Sequence, residues 1–228
     1  DGWPIILPAD SPVPRILKRP ALTSTTKPSE PMTGSFTIND EFDSAALDPA
    51  WLSFRRQPGQ WWRIDGGALK LRPRPVRLTS PRQNPSFLAR RQQHADYEAQ
   101  TTIALSPQAG DCDAGLAVFQ DERHHYFFGV RSKGGIASEI FVERASADRN
   151  SRDEAQPEVL KSQPLPPGAT RVTLKVIAKR LQLDFAWQRP GETQWTTVLE
   201  GADASILSER VAGGFTGVVI GVHARTIP

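Results

Sequence analysis

Ala114–Val130 reads AGLAVFQDERHHYFFGV, and its pattern decides the fold. Ala114–Gln120 alternates small and large apolar residues. Asp121-Glu122-Arg123 is polar and fits a hairpin loop. His124–Val130 resumes as an aromatic-rich strand. At a period of two, His124, Tyr126, Phe128 and Val130 share one face, and His125, Phe127, Gly129 and Arg131 share the other. Neither face is purely polar. Such a hairpin suits the centre of a sheet, with one face packing a core and the other lining a groove.

Strands recur at short intervals on both sides of it. Upstream, Leu52–Ile64 carries a Pro58-Gly59 break and the adjacent Trp61 and Trp62, whose indoles diverge on a strand. Gly66-Gly67 is a hairpin turn, and Ala68–Arg72 follows with Leu69 and Leu71 inward. Pro73–Pro85 is a polar loop with prolines at 73, 75, 81 and 85. Phe87–Arg91 is a strand. Tyr97–Leu105 places Tyr97, Ala99, Thr101, Ile103 and Leu105 opposite Glu98, Gln100 and Thr102.

Downstream, Gly134-Gly135 turns the chain into Ile136–Arg144. Ala145–Pro157 is charged, poor in apolar residues and expected to be a surface loop. Arg171–Ala178 buries Val172, Leu174 and Val176. Leu181–Gln188 turns Leu181, Leu183, Phe185 and Trp187 inward. After the Arg189–Glu192 turn, Gln194–Leu199 is another strand, and Ala204–Val211 a short helix. Phe215–Ala224, FTGVVIGVHA, is the most apolar strand and is expected to be central. This pattern predicts an all-β, antiparallel two-sheet sandwich.

Residues 1–35 differ. Prolines at 4, 8, 12, 14, 20, 28 and 31 leave no helical or strand period. The segment reads as an extended linker or strap, and Trp3, Ile5, Ile6 and Leu7 suit packing on another domain. The folded domain then spans 36–228. It opens with a short Phe36-Thr37-Ile38 strand. A helical turn over Ser44–Trp51 follows, with a turn start at Asp48-Pro49.

Composition argues against several functions. Net charge is +3, and no run of basic residues exceeds two, so neither a phosphate-binding stripe nor a nucleic-acid partner is expected. No apolar stretch reaches the length of a membrane-spanning helix, and no membrane partner is expected. DGWPIILP lacks the basic start and long apolar region of a signal peptide. The one cysteine, Cys112, rules out an internal disulfide framework. Asp111 and Asp113 flank it and raise its pKa, so it reads as an incidental loop thiol.

No conventional active site is visible. On a strand the rings of His124 and His125 diverge, so they cannot share a metal and read as packing residues. Asp40, Glu41 and Asp43 are weak calcium candidates, because their spacing lacks a full loop pattern and a solvated turn explains them. No other cofactor is expected. What remains is a binding surface. Aromatic faces cover the C–H side of a sugar, while amides and guanidinium groups bond its hydroxyls. Candidates are Trp61, Trp62, Arg90, Gln92, His94, His125 and Arg131.

Several stretches occur in a recognisable order: DEFDS, LDPAW, QWW, FLARRQQH, AGLAVFQDERHHY, GADASILS and VAGGFTGVVIGV. From about Phe36 to Ala224 the chain resembles the C-terminal concanavalin A-like sandwich of family 43 glycoside hydrolases, the bacterial β-xylosidases. Asp1-Gly2-Trp3-Pro4 resembles the end of the preceding five-bladed catalytic propeller. The resemblance implies an accessory domain of a β-xylosidase or α-L-arabinofuranosidase. Its partners would be that propeller and xylo-oligosaccharides, and its location the bacterial cytoplasm. The catalytic carboxylates would then lie in the propeller, with none here. One sandwich loop would close the substrate pocket, and by motif position it is Arg55–Trp62. Some relatives place a Phe there, whereas this chain has Gln57-Pro58-Gly59-Gln60. Arg55, Gln57, Pro58, Gln60, Trp61 and Trp62 are therefore the expected contacts, ahead of the His pair. The family pattern continues into a final acidic-aromatic strand, so an incomplete sheet edge is expected. The alternatives are an independent xylan-binding module and a structural homo-oligomerisation domain.

Overall fold

The structure, a computed structural model, describes residues 12, 14, 16, 34–55, 59–148, 150 and 153–227. It divides into two units, Asp1–Asp40 and Glu41–Pro228. Gly34–Asp40, within the first, carries no strand or helix, so the expected strand at Phe36–Ile38 is absent. Ile38 is 39% exposed.

The second unit holds thirteen strands among its described residues. In chain order they are β1 Leu52–Ser53, β2 Trp62–Ile64, β3 Leu69–Leu71, β4 Ser86–Arg91, β5 Tyr97–Ala104, β6 Cys112–Asp121 and β7 His124–Lys133. Then come β8 Ile136–Ser146, β9 Glu158–Pro164, β10 Arg171–Lys179, β11 Gln182–Gln188, β12 Thr196–Asp203 and β13 Val219–Thr226. A 3-10 turn at Ala204–Leu207 and a short helix, α1 Glu209–Ala212, lie between β12 and β13.

Two antiparallel sheets result. One runs β1-β4-β13-β6-β7-β8-β9, the other β12-β11-β10-β5, and β2-β3 forms a separate hairpin. The quoted hairpin is β6-β7, inside the larger sheet, as its two buried faces require. Tyr126, Phe128 and Val130 point to the inter-sheet core with Leu174, Val176, Leu183, Phe185 and Trp187. Phe185 meets Tyr126 at 5.7 Å and Phe128 at 5.4 Å between ring centroids. Each such ring contributes roughly 2–3 kcal/mol by leaving water.

The other face of β7 departs from expectation. It lines no groove. Phe87, Ala89, Ala117, Phe119, Phe127 and Phe141 form a second apolar layer with Leu78. Leu78, Val76 and Thr79 are buried, so Pro73–Pro85 is a packed cover over this layer and not a polar loop. Its prolines suit a segment that packs through side chains without joining a ladder.

Several boundaries shift. Ser44–Trp51 has no helix. Asp48 Oδ1 accepts from Ala50 N at 2.7 Å and Asp48 O accepts from Trp51 N at 3.0 Å, a side-chain-closed turn. Leu181 is 60% exposed because it follows Arg180, at φ 54°, in the β10-β11 turn. Cys112 is the first residue of β6 and buried, not in a loop. Burial first, then Asp113 and Asp111, push its thiol up to about 11. Ala145 belongs to β8, and Ala155 is buried in the excursion expected to be surface loop. β9, unforeseen, forms one edge of the large sheet. β13 is central as expected, between β4 and β6, and so is not an edge strand. It begins at Val219, four residues later than its apolar run suggests.

Candidate functional site

The expected contact loop is only partly described. Gln57 and Pro58 lie outside the described residues. The Arg55 guanidinium donates to Gln83 O at 2.7 Å and Pro81 O at 2.6 Å, and it pairs with Glu122. That side chain is engaged within the domain. Trp61 is 4% exposed, whereas Trp62 is half-buried and Gln60 exposed. One indole in and one partly out is what a period of two requires.

The other candidates are not one surface. Arg90 is half-buried over the Trp51 ring at 5.5 Å, and burial lowers its pKa. Gln92 donates to the backbone oxygen of His94, which is exposed. His125 is enclosed, stacked on Phe119 at 5.4 Å with Nδ1 3.0 Å from Asp121 O. Burial lowers its pKa to about 4, so its ring is neutral. Among the described residues no three His, Cys, Asp or Glu side chains come together to hold a metal, and Asp40, Glu41 and Asp43 form no such group.

Arg131 joins a buried ionic cluster. Its Nε donates to Asp113 Oδ1 at 3.0 Å and its Nη1 to Glu139 Oε2 at 2.9 Å. Arg225 donates to Asp113 and, at 2.9 and 2.8 Å, to both oxygens of Glu143. A pocket of about 200 Å³ opens beside Asp113, Arg131 and Arg225. Asp113, Arg131 and Arg225 are satisfied by one another and by Glu139 and Glu143, so the cluster is a structural knot.

One loop has the opposite character. Phe215 is 97% exposed. It lies between α1 and β13 in Gly213-Gly214-Phe215-Thr216-Gly217, where the glycines have φ 78°, 77° and 70°. Such values are costly for any residue with a Cβ, so the loop shape depends on glycine. Exposed Val211 lies on α1 just before it. A lone Phe in water forgoes roughly 2–3 kcal/mol that burial would supply. The sequence carried the signal. Glycines on both sides of an aromatic do not suit a strand interior, yet the apolar run that follows absorbed Phe215 into β13.

The model of the β-xylosidase C-terminal concanavalin A-like domain family matches residues 39–227. The chain belongs to this family. It is 26% identical over 226 residues to the non-reducing end α-L-arabinofuranosidase BoGH43B of Bacteroides ovatus, covering 98% of this chain and 39% of that protein. It is similar to the crystal structure of a GH43_12 protein retrieved from a capybara gut metagenome. The TM-score is 0.73 and the identity 28%, over 81% of this chain and 34% of that one. The fold also matches the xylan β-1,4-xylosidase of Bacillus halodurans C-125, at TM-score 0.66 and 24% identity, over 87% and 38% of the two chains. The chain spans about two fifths of the length of the curated relatives it matches. As a member of this family it is a C-terminal sandwich domain. No described helix is long and apolar enough to cross a membrane.

Proposed function

We propose that this domain serves a xylosidase- or arabinofuranosidase-type glycoside hydrolase, packing against its catalytic propeller and presenting Phe215 to the substrate pocket there. The observation that carries this is a 97% exposed phenylalanine on a glycine-shaped loop of an otherwise well-packed sandwich. A ring so presented covers the C–H face of a xylose or arabinose unit and displaces water from around the reacting bond. In this reading the acid and base carboxylates belong to the propeller. Gln60 and Trp62, with no partner commitment as deep as that of Arg55 or Trp61, are secondary contacts from the Arg55–Trp62 loop.

The reading predicts no hydrolysis of aryl β-xylosides or aryl α-L-arabinofuranosides by the 228-residue chain alone. Turnover that survives repurification to constant specific activity would overturn it.

A further inference from the structure

We infer that Arg91 and Gln120 are positioning residues that hold the Phe215 loop from opposite sides. The inference rests on the function proposed for Phe215. β13 lies between β4 and β6, and Val219, its first residue, pairs with Arg91 of β4 and with Phe119 of β6. The two neighbouring strands therefore flank the chain as it enters β13. Each supplies a side chain to the loop.

From β4, Arg91 Nη1 donates to Thr216 O at 2.7 Å, and the following residue ties Gln92 N to Val218 O at 3.0 Å. From β6, Gln120 Nε2 approaches Gly213 O at 3.5 Å, while Gly213 N donates to Glu209 O at 2.9 Å. The held carbonyls, Gly213 and Thr216, bracket Gly214-Phe215. The ties close on the segment that three glycines would otherwise leave widest in conformational range.

Two features set these side chains apart from ordinary surface and core residues. Arg91 makes no ion pair among the described residues and spends its guanidinium on a backbone carbonyl. Gln120 is 6% exposed, and its Oε1 is buried with no hydrogen-bond partner. An apolar residue would fill that position without stranding an acceptor. The amide is oriented by Gly213 O, and the orphaned oxygen accompanies that orientation. Holding the loop in one shape removes ordering entropy from the step in which the ring meets its pocket.

The test uses Arg91→Ala, Arg91→Lys and Gln120→Leu. In the 228-residue chain, chymotryptic cleavage after Phe215 and amide exchange at residues 214–217 should accelerate roughly tenfold in Arg91→Ala and Gln120→Leu at unchanged Tm. Arg91→Lys keeps a donor and should restore most of the protection. Unchanged cleavage and exchange would overturn the inference. In the enzyme containing the catalytic domain, either loosening variant should lower kcat/KM. Added to Phe215→Ala, neither should lower it further. A kcat/KM loss from Phe215→Ala with none from the loosening variants would overturn the positioning role. Silence of Phe215→Ala itself would instead overturn the underlying reading of Phe215.

Discussion

Arg225 donates from Nε at 3.1 Å and from Nη2 at 3.0 Å to one oxygen, Asp113 Oδ2. The two residues are direct cross-strand partners on β13 and β6. Both side chains are under a tenth exposed. Glu143 closes the other edge of the guanidinium, whose carbon sits 5.1 Å from the Phe127 centroid. A buried pair is weak evidence of net stabilisation, but breaking it strands charge.

Arg225→Met should therefore cost about 3–5 kcal/mol in urea unfolding. Replacing Arg225, Asp113 and Glu143 together by apolar residues should cost less than that single change. A triple variant that is less stable than Arg225→Met would show that the cluster is net stabilising.

Acid should act through the same layer. His125 and His223 are buried, and burial first lowers their pKa values to about 4 and about 3, with Arg225 adding to the shift at His223. The unfolded chain takes up protons near 6.5, the folded chain only far below. Between these values the unfolded state binds more protons, so stability falls as pH falls. Stability should be flat between about pH 6.5 and 8 and decline steadily toward pH 4, by several kcal/mol for the two rings together. His125→Phe should flatten part of that slope in a pH series of urea melts. A slope unaltered by His125→Phe would remove this residue from the account.

Gly221 lies where β13 passes between β4 and β6. A Cβ built there would meet Leu88 O at 2.0 Å and Ala89 Cα at 2.4 Å, both backbone atoms that cannot swing aside. Gly221→Ala should destabilise by about 3 kcal/mol, the upper part of the usual overpacking range, and thermal unfolding checks it.

The strand assignments were legible wherever alternation met a real two-sided environment. Val172, Leu174 and Val176 on β10 are buried, as their period predicts. β9 was not legible, because Glu158-Val159-Leu160-Lys161 shows no alternation and only one neighbour orders it. Leu181 and Phe215 misled for one physical reason. Each lies just before a strand and beside a positive-φ residue, Arg180 or Gly217, so each belongs to a turn and not to the strand that follows. The site was partly legible. The expected contact loop was Arg55–Trp62, whereas the exposed ring on which the proposed function rests sits on another loop, between α1 and β13. His125 misled because period alone cannot show that Leu78 and its neighbours cover the second face of the sheet.

The most direct test is steady-state kinetics of the enzyme in which this domain accompanies its catalytic domain, comparing wild type with Phe215→Ala on an aryl β-xyloside and an aryl α-L-arabinofuranoside. Because Phe215 makes so little contact with its own domain, the substitution should leave Tm within about 1 °C. The account predicts a kcat/KM loss of roughly ten- to a hundredfold on the preferred substrate, the scale of one buried aromatic contact. Unchanged kcat/KM on both substrates at unchanged Tm would contradict it.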